Sequence, residues 1–156
     1  FDQDDTSILI AAHASMRWCE YSVEEPISPE QIDEFTVPAA AGLVPFGAYS
    51  NISLDSGETY VLVVSGTWQN RAVEIVDAMY SSYDGGAWAT APHGTSSDWL
   101  LDVIVDWAWV DWGPYRDSHE YSVLYTSPGG LINVGVIDSY YEDNVGALSV
   151  RVYRLP

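Results

Sequence analysis

The chain has 156 residues, 47% of them hydrophobic, which is enough for one domain with a buried core. Its 23 acidic residues, five arginines and absence of lysine give a formal net charge of −18. Such a charge repels phosphate groups and argues against nucleic acid and anionic membranes as partners. No apolar run approaches the roughly 18–20 residues needed to span a bilayer, so membrane insertion is not expected.

The charge also indicates an environment. An excess of carboxylates without lysine suits high ionic strength, where salt screens self-repulsion, or an outside medium rich in divalent ions. We therefore expect an extracellular protein, secreted or on a cell or virion surface, suited to a saline habitat, with compositional drift as the alternative. The chain begins at Phe1 without a signal-like segment, which predicts a processed or excised piece. Cys19 is alone, so we assign it no chemistry.

Residues 1–40 are predicted to form a mostly irregular N-terminal arm. A short apolar strand is expected in the segment TSILIAA, residues 6–12, behind an acidic tip. Ser28, Pro29 and Gln31 have the order of an N-cap, first helical residue and third helical residue, which predicts a helix of one or two turns. The segment VPAAAGLVP, residues 37–45, predicts a linker.

Residues 41–156 are predicted to form one all-β domain. Short segments rich in β-branched and aromatic residues alternate with turns rich in Gly, Pro, Asp and Ser, and hardly any helix is indicated. The predicted strands are centred on residues 60–64, 72–80, 98–112, 119–126, 131–137 and 147–155. This spacing is typical of a β-sandwich with jelly-roll or Greek-key connections.

Two of these strands allow a prediction of which side chains face the core. In the segment AVEIVDAMY, Val73 and Ile75 are expected to be buried, with Ala78 or Tyr80 as a further buried position. In the last strand, Leu148, Val150 and Val152 alternate with polar residues and are expected to share the inner face.

Oxygen-bearing side chains are concentrated just before that last strand. Asp138, Glu142, Asp143 and Asn144 fall within seven positions, and Gly146 follows them. Calcium takes six to eight hard oxygen ligands, which must converge from one or two loops. The segment is therefore either an ordinary acidic turn or a cation site.

The order Asp138, short loop, Asp143-Asn144-x-Gly146-x-Leu148 resembles the C-terminal motif of the bacterial calcium-dependent galactophilic lectins and of related secreted modules. Those lectins are small β-sandwiches of galactose-binding type. The segment LDSGETYVLVVSGTW, residues 54–68, is similar to their turn and following apolar strand. The resemblance covers roughly residues 50–155, and only the last twenty residues are specific.

The resemblance implies a bound Ca²⁺ and a carbohydrate ligand. By position, Asp138, Asp143 and Asn144 become calcium ligands, a backbone carbonyl around Asn70 supplies another, and Glu142 in the same turn is a further candidate. In the lectins the ion also ligates sugar hydroxyls. The loop after Asp138 is shorter than in the lectins, and their sugar-contacting loop has no clear counterpart here.

Aromatic residues supply flat apolar faces that can stack on sugar rings. The candidates are Trp109 and Trp112, expected to be exposed beside a Gly-Pro turn, and Tyr140 and Tyr141, which flank the predicted ion. His93 in the segment APHGTSSDW is a further candidate for sugar contact. The alternative for any single tryptophan is ordinary packing in the core.

The leading hypothesis is a non-enzymatic, extracellular, calcium-stabilised module that binds a carbohydrate or cell-surface glycan, or acts in adhesion. Asp102 and Asp106 could mimic a glycosidase pair, but acids flanking a strand more often face solvent, and no motif supports other chemistry.

The rival hypothesis is a structural subunit of an extracellular filament or virion, whose partners are copies of itself. Ile8, Leu9 and Ile10 would then complete a neighbour's sheet as a donor strand. The alternative is that the same residues form an edge strand of their own sandwich.

Overall fold

The structure is a computed structural model that describes residues 28–40, 47–90 and 100–156. Within these ranges nearly all regular structure is β, and one 3₁₀ turn covers Tyr141–Asp143. The strands are β1 (Glu30–Pro38), β2 (Ala48–Tyr49), β3 (Thr59–Ser65), β4 (Trp68–Asn70), β5 (Glu74–Val76), β6 (Tyr80–Tyr83), β7 (Ala89–Thr90), β8 (Val103–Val105), β9 (Ala108–Trp109), β10 (Glu120–Thr126), β11 (Asn133–Val136) and β12 (Val145–Arg154).

The strands form two antiparallel sheets. The larger, eight-stranded sheet has the order β10-β3-β12-β4-β5-β6-β7, with β1 also paired to β12, and the smaller sheet has the order β2-β11-β8-β9. Leu62 and Val150 of the larger sheet and Val103 and Val134 of the smaller one are buried in the same apolar core. The prediction of an all-β sandwich is confirmed.

Strand β12 is central to the larger sheet. Its ten residues pair with β1 and β3 along most of their length and with β4 at the start. Leu148, Val150 and Val152 are buried and their neighbours are not, as the alternation predicts. Because β12 is locked by three partners, the loop that precedes it begins from a fixed position.

The prediction of a helix after Ser28 is wrong. Residues 30–38 form β1, in which Asp33, Phe35 and Val37 are buried while the residues between them are exposed. This two-residue period suits a strand with one face on the core, and pairing with β12 outweighs the helix-start signal. The sheet thus includes a strand on the N-terminal side of the boundary expected near residue 40.

Two further expectations about strands are wrong. Val73 and Ile75 are exposed, and Glu74 and Val76 are buried instead. The reason is the pairing of β5 with β4, which places Val76 opposite the buried Trp68. The apolar run at residues 98–112 contains a hairpin rather than one strand, since β8 turns into β9 after residue 105.

Some predicted features lie outside the described residues. These are the apolar segment Ile8, Leu9 and Ile10, the isolated Cys19, and His93. In the part of the chain that the structure describes, no helix has the length and apolar character needed to cross a membrane.

Candidate metal centre

The loop between β11 and β12 is organised around the side chain of Tyr141. The Tyr141 hydroxyl donates a hydrogen bond to the carbonyl of Val136 (3.1 Å) and accepts one from the backbone N–H of Asp138 (3.0 Å). The backbone N–H of Asn144 in turn donates to the carbonyl of Tyr141 (3.3 Å). A buried tyrosine therefore links both ends of the predicted calcium motif.

Each of the three principal candidate ligands has one buried oxygen atom left over. Asp138 Oδ1 accepts hydrogen bonds from the N–H groups of Ser139 (2.6 Å) and Tyr140 (3.3 Å). Asp138 Oδ2, Asp143 Oδ1 and Asn144 Oδ1 are buried and have no hydrogen-bond partner in the described part of the chain. An unsatisfied buried acceptor costs about 1–3 kcal/mol, so three in one loop require an explanation.

The orientation of the Asn144 amide is fixed by its other end. Asn144 Nδ2 donates a hydrogen bond to the carbonyl of Ala39, at 3.1 Å, and the residue is only 4% exposed. A flipped amide would place two acceptors against each other, so the assignment of Oδ1 as the unpartnered atom is secure. The acceptor oxygen is consequently directed away from the end of β1.

The register of β4 brings Asn70 beside this loop. Val145 pairs with Gln69 and Gly146 with Trp68, so the next step of the antiparallel ladder sets Asn70 opposite Asn144. Asn70 is buried, and its Nδ2 donates to Glu74 Oε2 at 3.0 Å. The register thus brings Asn70, whose carbonyl oxygen is the further ligand that the resemblance implies, next to the last residue of the motif.

Glu142 occupies a different position from the other candidates. It is exposed, and its Oε2 accepts a hydrogen bond from the hydroxyl of Tyr140 at 2.8 Å. This contact raises the pKa of Tyr140. The described residues contain no cluster of three or more His, Cys, Asp or Glu side chains that could hold a metal ion. The candidate centre instead combines two carboxylates with amide and backbone oxygens.

The aromatic candidates for sugar contact separate into two groups. Trp109 and Tyr140 are 54% and 56% exposed. Trp112 is only 2% exposed, and its Nε1 donates to the carbonyl of Val103 at 2.9 Å. The expectation that Trp112 is exposed is therefore wrong, because its indole completes the core and its N–H is satisfied there. Tyr141 is also buried, so its ring is not presented at the surface.

A buried carboxylate network is absent from the sequence-based expectations. Asp77 Oδ1 accepts from the N–H groups of Met79 (3.0 Å) and Tyr80 (2.8 Å). Asp77 Oδ2 accepts from the hydroxyl of Tyr121 (2.7 Å) and contacts His119 Nδ1 at 2.9 Å. These partners are up to 44 positions apart in sequence, and no local pattern marks them as neighbours.

Sequence reasoning also missed Trp107, which is 60% exposed at the turn between β8 and β9. Its place inside a continuous apolar run does not distinguish it from the other tryptophans of the sequence. A two-residue turn between strands usually carries Gly or Asn, and neither residue is present to signal this one.

No protein-family model matches this sequence, and no curated protein matches it. Among solved structures, a match described as the N-terminal domain of EclA, a PllA-like lectin, is 19% identical, with a TM-score of 0.49. The match covers 81% of this chain and 98% of that chain. The chain's own residues therefore have to indicate its function.

Proposed function

We propose that this chain is a calcium-stabilised, carbohydrate-binding module that acts outside the cell and is not an enzyme. The observation that carries the proposal is the set of three buried acceptors, Asp138 Oδ2, Asp143 Oδ1 and Asn144 Oδ1, which lack partners among the described residues. A single cation ligated by these atoms would satisfy all three at once.

The donor set favours calcium over softer metals. It contains carboxylate, amide and backbone oxygens and includes neither a thiolate nor an imidazole, which zinc and copper prefer. Asp138 and Asp143 carry the two negative charges that balance a divalent cation. A backbone oxygen of Asn70, water or a ligand hydroxyl would complete the six to eight positions that calcium takes.

Carbohydrate binding is supported by the surroundings of the loop and by the resemblance of its motif to the galactophilic lectins. Tyr140, in the same loop, exposes a flat ring suited to stacking on a sugar. The net charge of −18 opposes polyanionic partners, which favours a neutral saccharide or cell-surface glycan.

Thermal unfolding with calcium and with excess EDTA tests the metal site. Binding to the folded state alone stabilises by RT ln(1 + [L]/Kd), about 2.7 kcal/mol at a hundredfold excess over Kd, so Tm should rise by several degrees. Asp143→Ala should remove the rise. Asp55→Ala, the same change at an exposed turn residue, should retain it. An identical wild-type curve in both buffers would refute the calcium site.

A glycan array probed in calcium and in EDTA tests the second half of the proposal. We expect binding to at least one neutral glycan that chelation weakens. Loss of the calcium-dependent signal in Asp143→Ala, with retention in Asp55→Ala, would connect the ion to the sugar. Calcium-dependent stability without any glycan binding would leave a structural metal site and contradict the carbohydrate assignment.

A subunit of an extracellular filament or virion is a second candidate. Strand β10 lies at the edge of the larger sheet and pairs with β3 on one side, and no strand of the described ranges pairs with its other side. Leu124 of β10 is 71% exposed. A seven-residue edge strand with such an exposed apolar side chain is suited to the addition of a strand from another copy.

A further inference from the structure

The tip of the β8–β9 hairpin has an unusual backbone. Val105 pairs with Ala108, which leaves Asp106 and Trp107 as the two turn residues. Their φ angles are 47° and 66°, so both lie in the left-handed region that Asn and Gly normally occupy. A tryptophan is held there against its conformational preference, which is a form of strain that concentrates at functional sites.

The turn is firmly anchored. The backbone N–H of Asp106 donates to the carbonyl of Asn133 (2.8 Å), and its Oδ1 accepts from the N–H of Asn133 (2.8 Å). Its Oδ2 accepts a hydrogen bond from the hydroxyl of Tyr125. Asp106 thereby ties the turn to β11 in the smaller sheet and to β10 in the larger one, so the tip is presented from a fixed backbone.

Two large indole surfaces meet solvent at this hairpin. Trp107 and Trp109 are 60% and 54% exposed. Trp109 lies directly opposite Ile104. Val103 and Val105, on either side of Ile104, face the core, and Ile104 is also buried although it is not part of that core. Alternation therefore places Ile104 and Trp109 together on the outer face of the smaller sheet.

The hairpin is remote from the candidate metal centre in the loop between β11 and β12. The turn is bonded to Asn133 at the start of β11, and Asp138 follows the other end of the same strand. Five residues of extended chain span about 17 Å. A single sugar ring stacked on the hairpin would therefore not reach the ion.

The chemistry of the hairpin favours a neutral saccharide. Indole faces stack on the C–H faces of pyranose rings, and the net charge of −18 opposes anionic polymers and lipids. A cation would also be attracted to an indole, but both carboxylate oxygens of Asp106 already accept internal hydrogen bonds. The carboxylate keeps its charge, so a cationic ligand is an outcome that the binding test has to separate from a glycan.

We propose that Trp107 and Trp109 form a second carbohydrate-binding site that works without calcium and makes the module bivalent for glycans. The inference takes its ligand class from the proposed function but does not depend on the metal. It also accounts for the strained turn, because a glycine at position 107 would relax the backbone and remove the stacking surface.

An array of neutral galactose-, glucose- and mannose-based oligosaccharides, probed in excess EDTA, tests the site. We expect wild type and Asp143→Ala to bind at least one of them. Trp107→Gly and Trp109→Ala should each weaken that binding about tenfold, the effect of losing roughly 1.4 kcal/mol of stacking. Tyr83→Ala, at an exposed tyrosine of β6, is the matched control and should bind normally.

Stability separates a binding role from a structural one. Trp107→Gly should melt at the same or a higher temperature than wild type, because glycine fits the left-handed conformation. A clear drop in Tm would make Trp107 structural and overturn the proposal.

Binding that is absent in EDTA, or that is unaltered in both tryptophan variants, would equally overturn it. So would Trp107-dependent binding of choline or phosphatidylcholine vesicles without any glycan. The shift of Tm by calcium is measured separately, so failure of the metal site and failure of the hairpin site remain distinguishable.

Discussion

The side-chain amide of Asn144 donates a hydrogen bond to the backbone carbonyl of Ala39, 3.1 Å away, and so connects the loop before β12 to the end of β1. This contact uses the nitrogen of the amide and leaves its oxygen unpartnered among the described residues. Asn144 therefore combines a structural donor with an available acceptor. The two functions can be separated by measuring the stability of variants with and without calcium.

The effect of Asp143→Ala on the free energy of unfolding should depend on whether calcium is present. In excess EDTA the variant should be as stable as wild type or more stable, because it removes a buried carboxylate oxygen that no described residue satisfies. In calcium it should be less stable, because it removes a ligand and a charge. Denaturant unfolding in both buffers measures the two differences, and equal losses of stability would contradict the metal site.

Asn144→Ala should behave differently, because it also removes the bond to Ala39. We expect a loss of about 1–3 kcal/mol in EDTA, where the Ala39 carbonyl is left without its donor. A further loss should follow in calcium. If Asn144→Ala is neutral in EDTA, the amide does not hold the loop as described.

The proposed calcium motif is visible in the sequence because its oxygen-bearing residues are local, from Asp138 to Asn144. The position of Asn70 beside this motif depends on the register of β4 against β12. That register cannot be read from local sequence patterns, and only the resemblance to the lectins indicated Asn70. The burial of Tyr141 was also beyond local patterns, because its hydroxyl is fixed by the carbonyl of Val136 on the preceding strand.

Asp77 should be the most sensitive buried acid among the described residues. Asp77→Asn replaces one oxygen with a donor that faces other donors, from either Tyr121 and His119 or Met79 and Tyr80. We expect a loss of about 2–4 kcal/mol in the free energy of unfolding. The isosteric change Asp84→Asn, at an exposed turn, should stay within about 0.5 kcal/mol. Similar effects of the two variants would rule out a supporting role for the Asp77 network.

Stability should decline in alkali. Burial and a hydrogen bond to an aspartate raise the pKa of Tyr121 and of Tyr125 above the ordinary value of 10.0. The folded state then holds protons that the unfolded chain releases, so the contribution is complete below pH 10 and is lost as pH rises further. Unfolding measured from pH 8 to about 11.5 should show this fall, and Tyr121→Phe should reduce its slope. An equal slope in the variant would contradict the assignment.

Two glycines with similar backbones should differ sharply when replaced by alanine. A Cβ on Gly47 (φ +78°) would lie 1.9 Å from the Val134 carbonyl oxygen, whereas one on Gly57 (φ +82°) meets nothing within 4 Å. Gly57→Ala should therefore cost only the backbone term, about 1 kcal/mol. Gly47→Ala must also displace β2 from β11 and should cost about 3 kcal/mol or more. Comparable values would mean that the two strands are less closely packed.

The sequence predicted the strands correctly where buried and exposed residues alternate plainly, as in β12. The prediction failed where tertiary contacts override the local signal. The start of β1 carries a helix-like Ser28-Pro29, yet eight registered pairs with β12 decide its conformation. In β5 the apolar Ile75 is exposed while Glu74 is buried on the same side as Val76, which departs from the usual rule. The turn at Trp107 has Asp106 but no glycine, so the paired strands disclose it more clearly than the sequence does.

The edge of β10 that no described strand covers provides the test between the module and the filament. If residues 8–10 form a donor strand, Ile8→Asp combined with Ile10→Asp should leave a folded protein that remains monomeric, because charge in that strand prevents its addition to a neighbour. If the same residues belong to their own sheet, the double variant should lose stability, with burial of each large side chain contributing about 1.5–3 kcal/mol, and its oligomeric state should be that of wild type.

Light scattering coupled to size-exclusion chromatography, together with thermal unfolding, distinguishes these outcomes. Tyr49→Asp, at an exposed side chain of β2 in the smaller sheet, is the control for the added charge and should alter neither assembly nor the larger sheet's edge. A wild-type chain that stays monomeric at high concentration, with residues 8–10 protected from proteolysis, would eliminate the filament. The apolar segment would then have to be buried within its own copy, because an uncovered strand of this kind pairs readily with any exposed sheet edge.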